Sequence, residues 1–257
     1  MLDFLFDQQL YHFVRLNYYE YVNLLKRYLK EYTENPRTIN MRVMYFSINR
    51  HIFNYLSSIR MFLDHNEYKL KKRYGSDSLR VERFKKTCSS VYDTSFSYRF
   101  LYKLRDYAQH CGMPLGNLEL VAKEASLAPR GIHRSLSVQF DRDALLRKFG
   151  KWGSQLGKEI QKLPRYFEVS PHISEVMKCL EKIYLTLIED DFPQLLQAAE
   201  YISQLIAPTK DMVGVPSIIK IEKIGAGVEN LKVEIGHMPL DIVEMVMNVK
   251  TRLSPSK

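Results

Sequence analysis

The chain has 257 residues, of which 46% are apolar and 26% charged, the proportions of a folded domain and not of a disordered or fibrous chain. A net charge of +9 favours polyanionic partners. Three widely spaced cysteines (Cys88, Cys111 and Cys179) exclude a disulfide framework or zinc-ligand spacing.

The cysteine pattern fits a reduced, cytoplasmic protein. No charged-then-apolar leader and no apolar run of membrane-spanning length is visible, so the expectation is a chain with no membrane role. The 17 tyrosines against 1 tryptophan suggest rings packed at helix margins with their hydroxyls wet. No internal repeat or low-complexity tract is visible.

Helical periodicity begins at Leu10. Val14, Tyr18, Val22, Leu25 and Leu29 recur at three- and four-residue steps up to Tyr32. Asn35-Pro36 ends this helix, and Thr38 or Asn40 can cap the next, from Met41 to Arg73. Gly75-Ser-Asp-Ser78 breaks it before a basic third helix, about Leu79 to Tyr92. Asp93-Thr-Ser95 supplies a break and a cap for a fourth. Four helices with short connections predict an up-and-down bundle over residues 1–115.

The pattern changes after Pro114. Leu115 to Ala128 reads as a short helix or an irregular segment, and Ser135–Phe140 alternates as a short strand. Asp141 caps a helix that includes Leu145, Leu146, Phe149 and Trp152 and is expected to reach Leu163. Pro164 and Pro171 bracket a loop. Ser170 or Ser174 starts a helix to about Glu189, and another runs from Pro193 to Ile206. Ile218–Ile224 and Val228–Ile235 read as strands around a turn at Gly225-Ala-Gly227, and Pro239–Val249 as a final helix. The expected fold class is therefore mainly α: a helical bundle (1–115), a helical extension with a short strand (116–207) and a small α/β C-terminal segment (208–257).

Charge is concentrated in the bundle. From Arg60 to Arg105 there are 12 Lys and Arg against 5 Asp and Glu, most of the chain's surplus. Such a field raises the local concentration of a polyanion. The same residues also suit a solvated helix face.

The fourth helix carries the most informative motif, Ser97-Tyr-Arg-Phe-Leu-Tyr-Lys-Leu-Arg105-Asp106-Tyr107-Ala-Gln109-His110-Cys-Gly112-Met-Pro114. Phe96, Phe100, Leu101, Leu104, Ala108 and Cys111 share one face of it. With Phe100 at zero, Arg105 lies at about 140°, Gln109 at about 180°, Asp106 at about 240° and His110 at about 280°. The polar groups thus point away from the core. A guanidinium grips phosphate oxygens bidentately, and an imidazole can exchange protons near neutral pH.

Leu104-Arg105-Asp106-Tyr107-Ala108-Gln109-His110 resembles the signature of HEPN domains, small helical bundles found in toxin–antitoxin, abortive-infection and CRISPR ribonucleases. That signature is Arg, usually a polar residue next, then His after four to six intervening residues. The resemblance covers about residues 10–115. Arg60 to His65 has the same spacing with apolar Met61 in second place, and Arg165 to His172 is interrupted by Pro171. Gly112 stands where some toxin members carry a Tyr.

The resemblance implies a metal-independent endoribonuclease of toxin or antiphage type, needing no cofactor, in which a ribose 2′-OH attacks the adjacent phosphate. His110 would serve as base or acid, Arg105 would stabilise charge at phosphorus and Asp106 would orient either. Gln109, Tyr107, Lys103, Arg60 and His65 are the expected substrate contacts. RNA is the implied partner, with a homodimer through the motif helix and an antitoxin or regulatory protein beyond it. The alternative is a non-catalytic helical module binding nucleotide, nucleic acid or protein. No metal-ligand spacing, phosphate-cradling glycine loop or nucleophile elbow is present, and His12, His51, His133 and His237 are isolated.

Overall fold

A computed structural model describes residues 2–124, 131–209, 211–223 and 231–253. The protein is mainly helical, with a small three-stranded antiparallel sheet and a separate two-stranded hairpin. It forms two compact units, Met1–Leu187 and Ile188–Lys257. The division falls inside the segment read as a helical extension.

The first unit opens with four helices: α1 (Leu2–Glu34), α2 (Met41–Tyr74), α3 (Leu79–Thr94) and α4 (Phe96–His110). Their starts follow from local chemistry. Asn40 Oδ1 accepts from the Val43 N–H at 3.1 Å, Ser78 Oγ from Val81 at 3.4 Å and Ser95 Oγ from Tyr98 at 3.2 Å. Gly75, at φ +88°, ends α2 in a conformation that side chains disfavour.

The sheet comprises β1 (Leu115–Glu124), β2 (Ile132–Asp141) and β3 (Tyr166–Glu168), in the order β1-β2-β3. Residues 115–124 are therefore a strand, where the sequence suggested a short helix or irregular segment; 125–130 lie outside the described residues. Leu, Glu, Ala and Lys favour helix locally, but pairing with β2 decides the outcome, with Leu118 opposite Val138 and Leu120 opposite Leu136. The register shifts between Leu115 and Asn117, and Gly116 sits in that irregularity. A Cβ at Gly116 would fall 2.3 Å from the Asp141 amide nitrogen.

Asp141 caps the following helix twice, accepting from Asp143 and Ala144 at 2.9 and 3.1 Å. The expected single helix to Leu163 is two: α5 (Arg142–Lys148) and α6 (Ser154–Gln161). Gly153 at φ +84° separates them, and Trp152 folds inward, its indole N–H donating to the Leu145 carbonyl at 3.1 Å. Between Pro164 and Pro171, where a loop was expected, lies β3. Then α7 (Ser170–Ile188) docks on α1 and α2. The Tyr55 hydroxyl donates to the Ile173 carbonyl at 3.1 Å, Tyr21 pairs with Ser170 at 3.0 Å, and the Tyr11 and Tyr184 rings stack 4.3 Å apart. Many tyrosines are thus core residues instead of margin residues.

An aromatic cluster joins the helices of the first unit to the sheet. Phe100 contacts Phe140, Trp152 and Phe167, and Tyr107 packs on Phe149 and Trp152. Asn49, fully buried on α2, holds the start of β1: its Oδ1 accepts from Leu115 N–H at 3.1 Å and its Nδ2 donates to the Tyr45 carbonyl at 3.0 Å. Tyr45 in turn donates to the Leu115 carbonyl at 3.0 Å.

In the second unit, α8 (Phe192–Ile206) and α9 (Leu240–Leu253) pack through Ala199, Val243 and Val246, and Lys250 bonds Glu200 at 2.6 Å. Between them in sequence are β4 (Ser217–Lys223) and β5 (Leu231–His237), which pair antiparallel. The turn expected at Gly225-Ala-Gly227 lies outside the described residues. No helix among the described residues is long and apolar enough to cross a membrane.

Candidate functional site on helix α4

The core-facing side of α4 carries Phe100, Leu101, Leu104 and Tyr107, all buried. Ala108 and Cys111, expected on that side, are only half-buried; the Cys111 thiol donates to the Lys148 carbonyl at 3.2 Å. The other side carries Arg105 and Asp106, half-exposed, and Gln109 and His110, exposed. Arg105 Nη1 lies 3.5 Å from Asp106 Oδ1, a long ion pair. Arg105 Nε is buried and has no hydrogen-bond partner among the described residues. The guanidinium is thus enclosed at its Nε and in contact with Asp106 through Nη1, on a side chain that is part-exposed.

His110 is the last residue of the helix. Five residues from Arg105, it projects about 140° away in azimuth and about 7.5 Å along the axis. On ideal helix geometry the two groups project toward different sides of α4. A two-sided site needs a second surface.

The remaining expected contacts separate into distinct places. Tyr107 is 2% exposed and packs under Trp152, so it is a core ring and not a surface contact. Lys103 lines a cavity of about 540 Å³ between α2, α3 and α4. Arg60 reaches toward α4: its Nε bonds Asp64 at 2.8 Å, Nη1 donates to the Tyr102 hydroxyl, and the guanidinium carbon lies 4.8 Å from the Tyr102 ring centre. Arg60 and Lys103 are therefore joined to one region through Tyr102 and Asp64. His65 is exposed on α2.

The cavity walls carry both signs of charge. Asp64, Glu67 and Asp93 face it together with Lys85 and Lys103. Hydrogen bonding from Lys71, at 2.7 Å, holds the Glu67 carboxyl below its usual range. Burial, with Glu67 adding to it, pushes the Cys88 thiol up to about 12, so Cys88 is protonated and a poor nucleophile.

The basic field is smaller than the composition suggests. Arg99 is 5% exposed; it donates to the Asp93 carbonyl at 2.8 Å and to the Tyr92 carbonyl, and pairs with Glu159 at 2.7 Å. Arg60, Lys71 and Lys85 also hold carboxylates. Lys72, Arg73 and Lys86 are exposed. No sequence signal separates Arg99 from its surface neighbours, because its partner Glu159 is sixty residues away.

No protein-family model, curated protein or solved structure matches the chain.

Proposed function

We propose that the protein is a metal-independent endoribonuclease of HEPN type, acting as a toxin or antiphage effector. The observation that carries this reading is the α4 surface: Arg105 and Asp106 in contact at the solvent boundary, with Gln109 and His110 exposed on the same helix over a packed aromatic core. A helix packed on such a core fixes the backbone positions from which these side chains project, a start toward the preorganisation that catalysis requires.

In the proposed reaction, a base takes the proton of a ribose 2′-OH. The 2′ oxygen attacks the adjacent phosphorus and the bond to the 5′ oxygen breaks. That oxygen takes up a proton, leaving a 2′,3′-cyclic phosphate and a 5′-hydroxyl. His110 serves as base or acid. Arg105 stabilises the added charge on the phosphoryl oxygens, and Asp106 orients its guanidinium. Because Arg105 and His110 diverge on one helix, two α4 helices from two chains form the complete cleft. Lys103 and Arg60 extend the phosphate-binding surface, and a regulatory protein or antitoxin would act by covering it.

A second reading, a non-catalytic binding module, draws support from the cavity beside Tyr102, where aromatic walls and charges of both signs could hold a ligand without chemistry. Incubating the purified protein with structured RNA in EDTA separates the two. Cleavage with cyclic phosphate ends supports the nuclease; retention of RNA without turnover supports the binding module.

A further inference from the structure

The β4–β5 hairpin has an unusual surface. In its register Ile219 stands opposite Ile235 and Ile221 opposite Val233, so these four β-branched side chains share one face. All four are exposed, between 53% and 62%. The other face carries Lys220 opposite Glu234 and Glu222 opposite Lys232, with exposed Ile218 opposite Gly236 at one end. Neighbours along each strand also pair: Lys232 with Glu234 at 2.5 Å, and Lys220 with Glu222. Among the described residues the sheet has these two strands, so each offers an outer backbone edge. A two-stranded hairpin is marginal alone, and a regular edge beside an apolar face is a template for another strand.

The charges indicate which strand fits. If β5 pairs antiparallel with β5 of a second copy about a two-fold axis at Val233, Lys232 falls opposite Glu234 of the second copy and Glu234 opposite its Lys232. Val233 meets Val233, and Ile235 stands opposite position 231, a leucine. Over residues 232–234 the match is apolar against apolar and cation against carboxylate. The same operation on β4, centred on Ile221, also matches Lys220 with Glu222 but sets Ile219 opposite Lys223. The β5 edge is the better self-complement.

We propose that β5 is a homodimerisation edge, through which two chains join their hairpins into one four-stranded antiparallel sheet. Four strands pass the size at which a sheet with an apolar face becomes stable, and the two apolar patches become continuous. The inference does not depend on the nuclease reading, because its readout is association and not RNA cleavage.

The test uses the full chain. Light scattering on the wild type at tens of micromolar is expected to give twice the chain mass. Lys232→Glu sets carboxylate against carboxylate across the dyad, and Glu234→Lys sets ammonium against ammonium. Each should weaken the dimer by roughly ten- to thirty-fold. An equimolar mixture of the two variants restores complementarity and should regain dimer mass, as should the double variant. Recovery on mixing shows that the single variants are folded. Val233→Cys should cross-link to a covalent dimer on oxidation, since directly opposed residues lie within disulfide reach, while Ile221→Cys and wild type should not. A monomeric wild type, a dimer indifferent to both charge reversals, or cross-linking through Ile221→Cys instead would overturn the proposal. So would a monomer that uses this face to bind lipid vesicles.

Discussion

The Arg99 guanidinium donates to the Glu159 carboxylate at 2.7 Å and so ties α4 to α6. Arg99 is nearly enclosed, while the Glu159 side chain keeps partial contact with water. The two partners are therefore unequal. Glu159→Ala strands a buried cation and should cost about 3 kcal/mol. Glu159→Gln keeps an acceptor and should cost less. Urea unfolding of the two variants checks the order.

The aromatic cluster makes a second prediction. Phe100 is wholly buried against Phe140, Trp152 and Phe167. Phe100→Ala should destabilise the first unit by about 3–5 kcal/mol. Trp152 is the single tryptophan, so its fluorescence reports the unfolding of this core directly.

His172 gives a pH dependence. It packs against Phe96, Phe100 and Phe167 and lies 2.8 Å from Ser97 Oγ; burial lowers its pKa from the ordinary value near 6.5. The unfolded chain then binds this proton more readily than the folded one. Stability from His172 is complete above about pH 6.5 and declines as pH falls toward the lowered folded-state value. Unfolding free energies at stepped pH should slope downward there, and His172→Phe should flatten the slope.

Gly116 is required by space. Gly116→Ala would drive a methyl group into the Asp141 backbone. The expected result is a lower melting temperature with weakened pairing of β1 and β2, visible as faster amide exchange at Leu118 and Leu120.

The helices of the first unit were legible because their signals are local. Asn40, Ser95 and Asp141 cap where the sequence places caps, and apolar periodicity marks the buried faces. The strand β1 was not, since its residues favour helix and only β2 makes them a strand. The break between α5 and α6 depends on Trp152 turning into a core assembled from distant segments. On α4, the phase placed Arg105, Asp106, Gln109 and His110 on the outer side correctly. The same phase sets Tyr107 at about 340°, beside Phe100 on the core face, where it is buried, so its expected role as a surface contact ran against its own position. It did not disclose that Arg99, at about 260°, is buried, because that depends on Glu159 of α6.

The proposed cleavage of RNA by Arg105 and His110 is checked with end-labelled structured RNA incubated with the dialysed protein in EDTA. Wild type should yield fragments ending in 2′,3′-cyclic phosphate. Arg105→Ala should lose roughly a hundred- to a thousand-fold in rate, and His110→Ala roughly a hundred- to ten-thousand-fold. Both variants should keep wild-type Trp152 fluorescence, since neither side chain is core. His65→Ala should stay near wild type, and Arg60→Ala should lose only binding. Cleavage undiminished in the Arg105→Ala and His110→Ala proteins, or no cleavage by wild type, would overturn the proposed nuclease function.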